Sequence, residues 1–362
     1  MATTTETETV PIGAEQKQTP VAHSSRKKPL KLSGALDRFA FTEVTPVIGR
    51  EYPEADLKEW LEAPNSDELL RDLAITISQR GVVYFRKQDG LDNELQKKLA
   101  QRLGELSGKP ATSKLHIHPI SNSGRTLGGK DDEISVISSE QAKQLYAGRF
   151  IGLKQSSKDG WHSDITFEPV PSDYAILRLT ELPKTGGDTL WASGYEVFDR
   201  ISPVYQKFLE TLTVTCAQPI FNESAKKNNF ELYSGERGAP ENVGTDLKAV
   251  HPVVRTNPVT GWKSVFAIGH HAKRINEVAE AESEALLKWF VQLVSENHDL
   301  QVRFKWLNPN DVAIWDNRSV FHTATYDYEG SRTGQRAVSL GERPYLDPSS
   351  TGRREALEAQ EK

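Results

Sequence analysis

From Tyr174 onward the chain is a succession of short apolar runs cut by Pro, Gly and Asn turns, at Tyr174–Leu179, Asp188–Trp191, Ala249–Arg255, Trp262–Ile268, Asp311–Trp315 and Arg336–Gly341. Short apolar runs bounded by turn formers read as strands. Helices do not alternate with them one for one, which argues against a doubly wound parallel sheet. Helical periodicity is confined to a few places. Leu69, Leu70, Leu73 and Ile77 follow a capping-box start at Asn65-Ser66-Asp67-Glu68 and stop at Gly81. A second helix carries Leu95, Leu99, Leu103 and Leu106, and a third, over about 276–297, turns Leu286, Leu287, Phe290 and Leu293 inward. Val82–Phe85 reads as a buried strand. The pattern predicts a mixed α/β fold with a mainly β core, helices packed around an antiparallel sandwich or barrel.

Charge and cysteine usage narrow the function classes. Lys and Arg number 45 against 50 Asp and Glu, a net charge of −5. A nucleic-acid binder needs a basic excess to neutralise phosphates, so that partner is excluded. The single cysteine, Cys216, rules out an intrachain disulfide and a thiolate zinc site and points to a reducing, cytoplasmic compartment. No run is long enough for a membrane span, and the Thr/Glu-rich start is no secretory or mitochondrial leader. Residues 1–35 are polar and nearly free of aromatics, the composition of a disordered tail, and their Arg26-Lys27-Lys28 cluster reads as solvated charge. Residues 36–345 form one domain, and 346–362 a charged, fraying C-terminal tail.

Of nine histidines, His162 and His322 carry the chemistry. On extended backbone residues i and i+2 share a face, so His162 and Asp164 can aim at one metal ion, with a third ligand from elsewhere. Two imidazoles and a carboxylate on one face of an octahedron leave open positions, as non-haem Fe(II) requires to hold a cosubstrate and O₂. His-x-Asp alone describes a surface ion pair equally well. The setting favours the metal: Trp161-His162-Ser163-Asp164-Ile165-Thr166-Phe167 brackets polar groups with apolar ones, and such groups are costly to bury unless liganded. His322 follows the apolar run at Asp311–Trp315. Beyond it Arg332 and Arg336, four apart, fall on one strand face and imply two anionic groups, each gripped by a guanidinium fork.

At these residues the sequence resembles the taurine/2,4-D dioxygenase family of Fe(II)- and 2-oxoglutarate-dependent oxygenases, and within it the fungal sulfonate dioxygenases. The match runs through W-H-x-D-x-T-F at Trp161–Phe167, E-L-P-x-T-G-G-D-T-L-W at Glu181–Trp191, H-P-V-V-R-T at His251–Thr256, W-D-N-R at Trp315–Arg318 and R-A-x-x-L-G-x-R-P at Arg336–Pro344. The resemblance implies a double-stranded β-helix (jelly roll) with surrounding helices. It implies Fe(II) on His162, Asp164 and His322, and 2-oxoglutarate held at its far carboxylate by Arg332 and Thr189, with O₂ as the oxidant. Arg336 matches the arginine that binds a substrate sulfonate, and His118, in Leu115-His116-Ile117-His118-Pro119, a sulfonate-binding histidine. The Ile165 N–H would complete that anion site.

The implied reaction hydroxylates the carbon next to a sulfonate and releases sulfite and an aldehyde, an activity of sulfur scavenging. The expected partner is a small anionic molecule. The family's residues for the taurine amine are not matched: Ser121 stands where the family has a tyrosine, and the segment before Trp161 reads Ser156-Ser157-Lys158-Asp159-Gly160. Taurine is therefore not expected to be preferred, and Lys158, near the substrate entrance, would repel an ammonium. A sulfate-ester dioxygenase and a hydroxylase of a carboxylate or secondary metabolite remain open, as does a homo-oligomer. Phe167 and Phe266 are candidates for pocket walls. His270 and His271 are expected at the pocket mouth in supporting roles, and His251 in a hydrogen bond within the fold.

Overall fold

The computed structural model describes residues 28–124, 128–145 and 155–361. Its core is a seven-stranded sheet in the spatial order Thr42–Glu43, Arg50–Tyr52, Val82–Phe85, Val312–Asp316, Ser172–Glu181, Thr333–Leu340, Ile134–Ser138. All neighbours are antiparallel except Arg50–Tyr52 beside Val82–Phe85. Side chains alternate across this sheet. Val83, Phe85, Tyr174, Ile176, Val312 and Ile314 lie under the helices Ser66–Arg80 and Asn93–Leu106. Val82, Tyr84, Ala175, Leu177, Ala313 and Trp315 face a second sheet, Gln301–Phe304, Thr189–Ser193, Val320–Ala324. Trp191 of that sheet meets Tyr84 and Trp315 edge-on, at 5.6 and 5.8 Å between ring centroids. Two sheets face to face over a shared apolar layer, with helices on the outer face of the larger, make the expected jelly roll. A third sheet, Ala272–Ile275, Thr213–Ala217, Lys248–Pro252, closes the site end together with the helix Glu280–Glu296.

Several local expectations change. Gly81 ends the first helix at φ +76, as read, but the Asn65 side chain makes no cap bond. Asp92 instead caps the second helix, accepting from Leu95 N at 2.8 Å. The N-terminal boundary moves: residues 1–27 lie outside the described residues, but 28–35 are docked. Asp72, buried in the first helix, accepts from the backbone of Ser33, Gly34 and Ala35 at 2.9–3.0 Å, and Leu30 N donates to Val259 O at 2.9 Å. The C-terminal segment is packed, not fraying. Its helix Arg353–Gln360 places Arg353 and Arg354 on the buried Glu196 carboxylate at 3.0 and 2.6 Å, and the Asp199 carboxylate accepts from Arg354 N at 3.0 Å. Burial of a carboxylate inside the domain gave these arginines a partner that composition alone does not reveal. No helix of the described residues is long and apolar enough to cross a membrane.

Candidate active site

His162 and His322 meet across an isolated antiparallel bridge on the free side of Val320–Ala324, the edge strand of the second sheet. His322 N donates to His162 O at 2.8 Å, and His162 N to His322 O at 3.0 Å. Asp164 is not on a strand with His162, as the spacing suggested. The chain turns immediately, and Ile165, a buried β-branched residue, adopts φ +48. Such a residue is rarely left-handed, and strain of this kind persists where the surroundings enforce it. Asn317 does so: its Oδ1 accepts from Asp164 N at 3.0 Å and from Trp315 Nε1 at 3.0 Å, and its backbone carbonyl from Ser163 Oγ at 2.6 Å.

The turn brings ligand atoms of His162, Asp164 and His322 within 4.8 Å of one another, the one such group among the described residues. His162 Nδ1 donates to Gly160 O at 2.8 Å, which puts the ring's lone pair on Nε2, the atom a metal would take. Burial first, then the neighbouring His162, depresses the His322 imidazole to about 3, so it is neutral, as a ligand must be. Burial opposes ionisation of Asp164, but the charge of the Arg336 guanidinium beside it outweighs this and holds the carboxyl well below its usual range. Among the described residues Asp164 Oδ2 and His322 Nδ1 are buried with no hydrogen-bond partner. A charged carboxylate whose Oδ1 stands 3.8 and 3.9 Å from the two imidazole Nε2 atoms fits a divalent cation, and three N/O donors suit iron.

Two arginines converge on this centre. Arg332, buried just before Thr333–Leu340, donates from Nε to Gly187 O at 2.9 Å and from Nη2 to Thr189 Oγ1 at 3.3 Å. Trp306 Nε1 fixes the same hydroxyl at 3.1 Å. Among the described residues no carboxylate pairs with Arg332, so its charge awaits an anion. Arg336, four residues on and on the same face, binds Asp164 Oδ1 through Nη1 at 2.6 Å. His118 is buried, and its Nδ1 accepts from the backbone of Ile120 and Ser121 at 3.1 and 2.9 Å. Burial, then the Arg336 charge, keeps the ring neutral far below its usual pKa, so its proton sits on Nε2 as a fixed donor. Among the described residues nothing accepts from Ile165 N–H.

The apolar candidates separate. The Phe167 ring lies 5.8 Å from Phe221 and 5.3 Å from His271, on the His118 side. Phe266 instead packs on His251 at 5.7 Å and under Arg255 at 4.6 Å. His251 bonds within the fold as expected, donating from Nε2 to Thr166 O at 2.8 Å. His270 and His271 stand 4.8 and 5.8 Å from the His162 ring, and His271 Nδ1 pairs with Thr166 Oγ1 at 3.0 Å. Gly269, φ +95, lets their turn pass so close that a Cβ would collide with the Trp161 carbonyl. Lys158 pairs with Glu296 on an outer helix, at 3.7 Å, rather than standing alone at an entrance. Sequence reading gave no role to Asn317, Glu168, His116 or Arg237. Glu168 was discoverable as a polar residue beside the apolar run at Trp161–Phe167 and Asn317 only through its place in W-D-N-R, whereas nothing in its surroundings marked Arg237.

A jelly roll that presents a His–Asp–His face beside a buried arginine–threonine pair defines the class of Fe(II)- and 2-oxoglutarate-dependent oxygenases. The chain belongs to the Taurine catabolism dioxygenase TauD, TfdA family, whose model matches residues 40–338. It is 56% identical over 346 residues to the alpha-ketoglutarate-dependent dioxygenase btcD of Neocamarosporium betae, spanning 91% of this chain and 98% of that one. To an alpha-ketoglutarate-dependent sulfonate dioxygenase of Saccharomyces cerevisiae it is 33% identical over 308 residues, 84% of this chain and 68% of the other. The crystal structure of a taurine dioxygenase from Burkholderia xenovorans shares the fold, with TM-score 0.63 and 24% identity over 87% of this chain and 94% of that one. The protein is a 2-oxoglutarate-dependent dioxygenase using Fe(II) and O₂.

Proposed function

We propose that the substrate is a small alkanesulfonate, hydroxylated at the carbon next to sulfur. The observation that carries this reading is the His118 tautomer. With Nδ1 occupied by two backbone N–H groups, Nε2–H can only donate, and the Arg336 guanidinium is close enough for its charge to act on the ring. A third donor, Ile165 N–H, follows the metal ligand Asp164 directly. Three donors of different direction suit a tetrahedral oxyanion better than a planar carboxylate, which would satisfy fewer of them at once.

His162, Asp164 and His322 would hold Fe(II), and Arg332 with the Thr189 hydroxyl would hold the far carboxylate of 2-oxoglutarate. Iron, when bound, supplies the oxidising power for C–H hydroxylation as 2-oxoglutarate is converted with O₂ to succinate and CO₂. Arg336, His118 and Ile165 would fix the sulfonate so that its neighbouring carbon faces the metal ligands, with Phe167 as an apolar wall and Phe266 behind it. The hydroxylated carbon then loses its O–H proton and forms C=O as the C–S bond breaks, its electron pair leaving with sulfite. Release of sulfite would serve sulfur supply, and the buried free Cys216 suits a cytoplasmic setting.

A second reading is hydroxylation of a carboxylate or neutral metabolite. It is favoured by one comparison: the relative at 56% identity carries no sulfonate in its name, and relatives named for sulfonates stand at 33–34%. A panel of alkanesulfonates, alkyl sulfates and carboxylates, assayed for succinate together with sulfite or sulfate, tests both. Sulfite equal to succinate with several sulfonates is expected. Succinate coupled to carboxylates, with no sulfite from any sulfonate, would overturn the first reading, and sulfate from alkyl esters would shift it to sulfate-ester cleavage.

A further inference from the structure

Glu168 follows the metal-binding segment directly and takes no part in holding iron, 2-oxoglutarate or substrate. It is nonetheless 1% exposed and accepts three charge-assisted bonds, from His116 Nε2 at 3.0 Å, Arg237 Nε at 2.5 Å and Arg237 Nη2 at 2.9 Å. A carboxylate buried that fully is costly unless its lone pairs are used, so this arrangement is a built one. Arg237, also buried, passes the tether on: its Nη1 donates to Gly244 O at 2.7 Å.

The loop that carries Arg237 is laced to both ends of the segment that carries His118. Lys114 N donates to Gly238 O at 2.8 Å, and Tyr233 N to Pro119 O at 3.0 Å. Gly238, φ +84, runs so close that a Cβ would collide with the Leu115 carbonyl. The same loop exchanges two bonds with Val170 through Asn242, at 3.0 and 2.8 Å. Glu168 thus joins three stretches of chain, and His118 rides on one of them, two residues from His116. The metal ligands and the Arg332–Thr189 pair are held by other bonds, to Asn317, Gly160, Gly187 and Trp306.

We propose that Glu168 is a positioning residue of the anion site: by tying His116 and Arg237 to the end of the metal-binding segment, it holds residues 114–119 where His118 Nε2–H meets the substrate anion beside Arg336. The inference rests on the reading of Arg336 and His118 as the grip on a substrate oxyanion. Its lever is affinity for that anion, not for the metal or 2-oxoglutarate.

The test uses Glu168→Gln, which keeps shape and loses charge. A triple variant, His116→Phe with Glu168→Leu and Arg237→Met, replaces the buried ionic set by apolar groups and preserves the fold should the single change not. With pentane-1-sulfonate as probe, KM should rise roughly 10–100-fold, while the 2-oxoglutarate KM and the slow succinate formation without probe stay put. An unchanged probe KM in the variants, or an equal rise for 2-oxoglutarate, would overturn the proposal. A second readout needs no substrate: imidazole nitrogen NMR of the protein loaded with Zn(II) and 2-oxoglutarate. His118 should show one tautomer in the parent and a mixture in Glu168→Gln. If only the His116 signal moves, Glu168 does not position His118. Should the parent release no sulfite from the probe, the sulfonate reading fails, and the NMR comparison still decides the role of Glu168.

Discussion

Arg336 Nη1 lies 2.6 Å from Asp164 Oδ1, the same carboxylate oxygen that stands 3.8 Å from His162 Nε2 and 3.9 Å from His322 Nε2. The Arg336 guanidinium is therefore the nearest countercharge of the Asp164 carboxylate in the His162–Asp164–His322 cluster. If it also grips the substrate anion, as proposed above, the carboxylate and that grip form one electrostatic unit.

A stability prediction follows for the EDTA-treated protein. Arg336→Met strands Asp164 in a dry site, with a loss of about 3 kcal/mol in urea unfolding, as for other buried pairs broken on one side. Adding Asp164→Asn should recover part of it, because the neutral amide has less to lose on burial. Equal unfolding midpoints for the parent and Arg336→Met would mean that the pair contributes nothing.

For the metal, His162→Ala, Asp164→Ala and His322→Ala should each abolish succinate formation from 2-oxoglutarate. His270 and His271 stand beside His162, but His271 is engaged with Thr166 and Gln218 at 3.0 Å each and cannot stand in as a ligand. Undiminished turnover after thorough chelation would sink the iron assignment.

Arg332 and Arg336 are distinguishable by their partners. Removing Arg332 leaves the Thr189 hydroxyl and Trp306 as the remaining polar contacts at that place, so Arg332→Met should weaken 2-oxoglutarate binding by about two to three powers of ten, the equivalent of roughly 3–5 kcal/mol. Titrating the 2-oxoglutarate requirement with any coupled substrate measures it. A rise confined to the substrate KM would mean that the two arginines exchange roles.

What could be read in advance divides by range. The parity argument put Arg332 and Arg336 on one face by even spacing; Arg336 lies on Thr333–Leu340, whereas Arg332 stands just before it, next to a register shift against Ser172–Glu181 at Thr333 and Gly334. It failed for His162 and Asp164, where a one-residue bridge and a turn at Ile165, enforced by Asn317 in the turn after Val312–Asp316, bring the same groups together by another path. Helix Ser66–Arg80 was legible from its apolar spacing. Short elements such as Gly194–Arg200 and Thr213–Ala217 were not, since they are too brief for periodicity to speak and are held by tertiary packing. The Asp72 anchor for residues 33–35 and the Glu196 anchor for Arg353 and Arg354 were invisible for the same reason: both join chain segments far apart in sequence.

The pH dependence of stability offers a test away from the metal. His251 is buried with Nε2 donating to Thr166 O, and burial depresses its pKa to about 4. In the unfolded chain it titrates near 6.5, so between the two values the unfolded state binds a proton that the folded state refuses. Its contribution is fully present above about 6.5 and is lost as pH falls toward 4, at about 1.4 kcal/mol per pH unit. His251→Gln, whose amide can still donate to Thr166 O, should therefore flatten the fall in unfolding free energy between pH 7 and 5, by about one proton's worth of slope in the lower part of that range. The other buried imidazoles are common to both proteins and cancel in the comparison. Parallel curves for the two proteins would mean that His251 takes up its proton without leaving the fold.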